Sequence, residues 1–266
     1  MKNLYWLSIA FGLVVSGFFL ADRRFTEVGL IGTLICVGLT LGLGFLWFRP
    51  RPMWQGILWG ALAQPVVFSL NNQMVGISNK LGITHLDAAF YSPLPEKTIK
   101  LLGVVIIIAA FGNVKQPYQA AAVGMAVGLG FDAMENVPFI LNAAIDNLDG
   151  DLWGVIITGI GRFFTGAFSH ALYTGVAAWG VGKLYAGARH GYWQVAGFWL
   201  AGIALHTLFN GATMIAGEWP ATILVIALIT WTLIIWGLRF MRKQDKKHAA
   251  QSSEKSLPAK DSEYSS

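Results

Sequence analysis

Four ionisable side chains, Glu96, Glu135, His170 and His206, stand in stretches otherwise apolar enough to lie within a bilayer. At that depth a charge is costly unless it faces a cavity or a partner, so each is a functional candidate by default. Two carboxylates and two imidazoles in one partly dry chamber can activate a water: a carboxylate takes its proton and an imidazole donates to the developing oxyanion. The same oxygen and nitrogen atoms are ordinary ligands of a divalent metal such as zinc. Residue types alone leave both chemistries open.

Spacing adds a second signal. His170 and Thr174 are four apart, as are His206 and Asn210, and Glu96 and Lys100, while Asp132 and Glu135 are three apart. Each pair therefore shares one helix face and can point into one cavity. Depth is a further check. At about 1.5 Å per residue Glu135 lies ~26 Å along its span from the cytoplasmic end, and His206 lies ~21 Å along its own. Glu96 opens its helix at the outer surface and His170 falls near the middle, so three of the four are expected in the outer half, with His170 able to reach them if its span starts late.

The elements that must hold these groups are apolar helices. Of the 266 residues 55% are hydrophobic and only 12% charged, half the charge of an ordinary soluble domain. The 31 glycines and 11 tryptophans suit close helix crossings in lipid and anchoring at its interfaces. The expected fold is an all-α polytopic transmembrane bundle of about eight spans over residues 1–240, with the motif-bearing core at 93–211 and a disordered cytoplasmic tail at 241–266. The spans are read as residues 3–21 (a retained helix rather than a cleaved signal), 28–48, 54–70, 95–112, 118–142, 153–183, 192–216 and 220–240. Gln64-Pro65 should kink the third. Gly124, Gly128 and Gly130 should let the fifth pack closely. The polar stretch from Asn71 to Pro95 reads as a loop with room for a short interfacial helix.

Positive charge in short loops orients the chain. Arg49, Arg51, Lys115, Lys183, Arg189 and the basic run from Arg239 to Lys247 are placed in the cytoplasm with both termini. Arg23, Arg24, Lys80, Asp146, Asp149, Asp151 and Glu218 then face the other side. The net charge of +5 is a topology signal and no sign of a nucleic-acid partner. Arg162 is expected to snorkel to the interface, and Trp47, Trp54, Trp193 and Trp219 to anchor there. Cys36, the single cysteine, excludes an internal disulfide.

At these residues the chain resembles the PrsW-type intramembrane proteases, which are similar to the type II CAAX prenyl endopeptidases and to the Aph-1 subunit of gamma-secretase. The likeness rests on four motifs in order between Pro93 and Gly211: Glu96 to Lys100, Phe131-x-x-x-Glu135-Asn136, His170-x-x-x-Thr174-Gly175, and His206-x-x-x-Asn210. It implies a multi-pass cell-membrane endopeptidase that hydrolyses membrane-associated proteins, such as anti-sigma factors. By the same likeness Glu96 is the general base, His170 and Glu135 assist or position it, and His206 with Asn210 polarises the scissile carbonyl. Lys100, Phe131, Asn136 and Thr174 support them.

The chain departs from the family pattern at one place. Lys97 stands where the first motif normally has a second glutamate, and a lysine there can pair with Glu96. A catalytically inactive membrane scaffold or chaperone of the same fold is the first alternative. A proton-coupled transporter is the second, since buried Glu and His also build proton relays.

Overall fold

The computed structural model of the chain describes residues 1–21, 25–48, 53–82, 91–112, 114–147, 150–166, 168–218 and 220–255. Among these residues the regular structure is helical throughout, without strands. The helices are α1 (Lys2–Ala21), α2 (Glu27–Phe48), α3 (Met53–Lys80), α4 (Pro93–Phe111), α5 (Pro117–Asp146), α6 (Asp151–Gly166), α7 (Ser169–Tyr185), α8 (Gly191–Glu218) and α9 (Pro220–Lys255). Arg23, Arg24, Arg49, Arg51, Asp149, Trp219 and residues 83–90 and 256–266 lie outside the described residues, and with them parts of the orientation, interfacial-helix and tail expectations.

Helix α5 is the axis of the bundle. It starts at Pro117, where a missing N–H costs nothing, and a capping box between Gln116 and Gln119 satisfies its first amides. Gly124 and Gly128 face α7 and Gly130 faces α3, each so close that a Cβ would meet the neighbouring backbone. The two buried apolar clusters lie on either side of this axis. One joins Val104, Ile107, Val123 and Phe131 to Tyr5 and Trp59. The other joins Met125 and Leu129 to Phe168 and Ile234. Buried aromatic N–H and O–H groups find carbonyls: Trp59 Nε1 donates to Ile99 O at 3.2 Å, and Tyr5 Oη to Gln55 O at 3.0 Å.

Four stretches are long and apolar enough to cross a membrane: Lys2–Ala21, Glu27–Leu46, Asp151–Tyr185 and Gly191–Thr213. The site-bearing helices α3, α4 and α5 have their apolar runs broken by Gln64, by Glu96, Lys97 and Lys100, and by Asp132 and Glu135. The chain is a membrane protein, and polarity on its inner helices is what a polar chamber in lipid requires.

The structure differs from the sequence reading in three places. Helix α3 continues through Asn71 to Lys80 where a loop was expected, and α9 runs on to Lys255 past the expected end at Phe240. In both, an established helix extends into polar residues without a new nucleation cost. The span expected from Trp153 to Lys183 is interrupted. Helix α6 ends at Gly166, Phe168 takes a left-handed φ of 66°, and α7 begins at Ser169.

Candidate active site

Glu96, Lys97 and Lys100 lie in the first turns of α4 and are all buried, the two lysines with no exposed surface. Glu96 Oε2 accepts from Lys100 Nζ, one turn along, at 3.1 Å. The same amine reaches His170 Nδ1 on α7 at 2.9 Å. Beneath it lies the ring of Phe131, whose centroid is 3.2 Å from Nζ. Lys100 as an ammonium has only donors to offer His170, so Nδ1 is assigned as the acceptor and Nε2 as the proton carrier. His170 Nε2 then donates to Glu135 Oε2 on α5 at 2.6 Å. The outcome is a continuous bonded line from Glu96 through Lys100 and His170 to Glu135.

Arg162 of α6 closes the far end. Its Nη2 stands 3.4 Å from Glu135 Oε2, and its Nε donates to Asn136 Oδ1. The snorkelling expected of Arg162 is therefore corrected: a carboxylate within reach on α5 outcompetes the interface. The Phe-x-x-x-Glu-Asn pattern gains a physical reading, since Phe131 seats Lys100, Glu135 receives His170, and Asn136 seats the arginine.

His206 of α8 approaches Glu96 from the other side, with Nδ1 3.5 Å from Glu96 Oε2. Its ring stands edge-on to His170, with centroids 4.8 Å apart, and stacks on Tyr173 at 5.7 Å. His206 Nδ1 has no hydrogen-bond partner among the described residues, and the same holds for the buried Oγ1 of Thr174. Asn210, a turn beyond His206, has its Nδ2 3.5 Å from Ser92 Oγ. Lys97 does not pair with Glu96. Its Nζ sits 5.2 Å over the Tyr173 ring and lacks a hydrogen-bond partner among the described residues.

The break before α7 explains how His170 arrives here. With the helix restarting at Ser169, His170 occupies its first turn, where backbone N–H groups are free. Asp132 stands beside this turn, its Oδ1 3.9 Å from His170 Nε2. Gly128 lets this turn rest directly on α5, because a Cβ there would meet the His170 carbonyl. Glu96 and Glu135 open onto a cavity of about 190 Å³ between α3 and α5, lined as well by Gln64, Asn71, Phe131 and Asn142. A carboxylate beside a cavity with room for water, with two imidazoles and a lysine around it, is an arrangement for proton transfer to and from a nucleophilic water.

Two sets of side chains have the types and spacing of a metal site: Glu96, His170 and His206, and Asp132, Glu135 and His170. In the first, Glu96 Oε2 is 3.6 Å from His170 Nδ1 and 3.5 Å from His206 Nδ1. The site as built nonetheless does not fit a dication. Lys100 Nζ already uses the His170 Nδ1 lone pair and one Glu96 oxygen, and a second buried lysine stands one residue away. In the other set, Nε2 of His170 is a donor and Arg162 holds Glu135. The donors expected for zinc are present and His206 Nδ1 and Asp132 Oδ2 are unpartnered among the described residues, but Lys100 holds His170 Nδ1 and a Glu96 oxygen and Arg162 holds Glu135, which leaves neither set of three free for a metal.

Sequence reasoning missed Gln64, read only as a kink partner, and Tyr173, whose ring serves both Lys97 and His206. A glutamine before a proline inside an apolar span was the available signal. Compared with known families, residues 49–237 match the one described as PrsW family intramembrane metalloprotease. No curated protein and no solved structure matches the chain.

Proposed function

We propose, from the premise that the chain belongs to the PrsW family of intramembrane metalloproteases, that it is an endopeptidase in which Glu96 activates water against a peptide bond of a membrane-embedded protein. The observation that carries this reading is the common focus on Glu96 Oε2: Lys100 at 3.1 Å, His206 at 3.5 Å and His170 at 3.6 Å. Glu96 takes a proton from a water in the adjoining cavity as the water oxygen bonds to the carbonyl carbon. The negative charge that develops on the carbonyl oxygen is met by N–H groups of Lys100 and His206. Glu96 then passes its proton to the amide nitrogen, and the C–N bond breaks to leave a carboxylic acid and an amine. His170 acts through Lys100, fixed in one tautomer by Glu135. Asn210 is assigned to the carbonyl side with His206. No step runs through a metal, for the reason given above.

The loop charges support a cytoplasmic position for both termini, with the chamber in the outer half of the membrane. The substrate class this supports is a membrane-associated protein, and nothing among the described residues selects an anti-sigma factor.

A second reading, a non-catalytic scaffold, is favoured by Lys97, a buried lysine in the place of the pattern's second glutamate. One experiment separates the two. Purified protein in detergent is offered single-span membrane proteins, and cleavage is compared for wild type, Glu96→Ala, His170→Ala and Lys97→Glu. Cleavage by wild type that both alanine variants lose is expected. No cleavage by wild type or by Lys97→Glu would leave the scaffold reading standing, and cleavage by Lys97→Glu alone would mark Lys97 as a lesion.

A further inference from the structure

Two polar side chains on α3 open onto the same cavity and are not used by the chemistry above. Gln64 is only 3% exposed, and its Oε1 has no hydrogen-bond partner among the described residues; the same is true of the buried Oδ1 of Asn71. Burying such a group without a partner is costly, so a built-in orphan at a cavity wall is an unmet acceptor. Gln64, Val67, Phe68 and Asn71 all line the cavity, and their spacing makes them one face of α3. Across from them stand Glu96, Glu135 and, at an exposed end, Asn142. The cleft thus runs from the base outward, with apolar walls and amides along one side.

A peptide bond inside an intact transmembrane helix has its N–H and C=O already bonded within the helix. To be hydrolysed the segment must unwind, and its freed backbone groups then need partners in a place without bulk water. Gln64 and Asn71 are two helical turns apart, about 10 Å at 1.5 Å per residue, the length of roughly three residues of extended chain at 3.3 Å each. We infer that the α3 face is the substrate cleft, in which Gln64 and Asn71 accept hydrogen bonds from backbone N–H groups of an unwound membrane segment and hold its peptide bond against Glu96. The substrate class that follows is a transmembrane segment with a helix-weakening centre. This inference rests on the peptidase reading, and Gln64 and Asn71 are positioning residues in it.

The test uses the full-length protein in detergent and a fluorescent Leu/Ala peptide of about 20 residues with a central Gly-Gly pair. A second peptide carries N-methyl groups on the central amides, removing their N–H donors and adding one methyl at each; the double variant controls for the added bulk. Binding is read by anisotropy extrapolated to zero time, and cleavage on a gel in parallel. N-methylation is expected to weaken binding to wild type about tenfold. Gln64→Met with Asn71→Leu should weaken binding of the unmodified peptide by a similar factor, after which N-methylation costs nothing more. Where cleavage occurs, KM should rise with kcat unchanged. A full N-methyl penalty persisting in the double variant would overturn the inference. So would no penalty on wild type, a result that requires no variant to fold. The expected binding pattern without cleavage sinks the peptidase reading alone, and cleavage without the pattern sinks this one alone.

Discussion

Two helix seams, one between α5 and α7 and one between α2 and α6, differ in a way that explains much of the molecule. Along the contact of α5 with α7, Gly124 and Gly128 put backbone against backbone, and a Cβ at either would run into a carbonyl of Thr174 or His170. Between α2 and α6, the close approach at Gly32 is to the side chain of Val155, and beside it lies an apolar groove of about 570 Å³ lined by Leu39, Leu43, Ile140, Phe163 and the half-buried Cys36. A carbonyl cannot move aside without moving its helix, whereas Val155 can yield as a side chain, at the cost of its preferred χ1, with the helix in place. The first seam therefore fixes the height and angle of His170, while the second is free to adjust to whatever fills it.

Predictions follow the same contrast, from the largest effect downward. Glu96→Gln leaves both seams intact but removes the base, and kcat should fall about 10³-fold, with a lowered melting temperature because buried Lys100 loses its counter-charge. Retention of more than a tenth of the activity would show that the base is elsewhere. Gly128→Ala pushes on the His170 carbonyl, and a displacement on the order of 1 Å is enough for roughly a hundredfold loss, whereas Gly32→Ala should lower activity less than about threefold because Val155 can turn aside. Equal losses at the two glycines would erase the distinction. Arg162→Met frees Glu135 from its outer partner and should cost about tenfold in kcat through the loosened His170, by the usual size of one hydrogen bond to a charged group. The smallest effect is expected from chelation: dialysis against EDTA should leave turnover unchanged, and elemental analysis should find well under one equivalent of zinc. Loss of activity restored by zinc would instead mean that Lys100 gives way to a metal.

The contrast also marks how far the sequence could be read. The apolar spans were legible because lipid demands a run of fixed length, and Glu96, Glu135, His170 and His206 were legible because nothing else excuses ionisable groups there. Arg162 was misplaced because an arginine near a span end has two stable destinations, the interface and a carboxylate on a neighbouring helix. Only the proximity of α6 to Glu135 selects between them. Lys97 and Lys100 look equivalent on paper, yet a difference of three residues turns one towards Glu96 and the other over Tyr173. The extension of α3 past Asn71 was hidden because polar residues read as loop when the preceding turn is not known to be helical. The break at Phe168 has only Gly166 and Ser169 as local signs, in a stretch whose apolar run continues without a proline.

That break has a consequence for how such a chain can change over time. In an unbroken helix each residue inserted upstream rotates everything after it by about 100°, and one insertion would swing the imidazole away from the amine. Here the turn count is reset at Phe168. Residues can be gained or lost in α6 and its preceding loop without turning His170, so that length is free to drift, while the count from Phe168 to His170 is not.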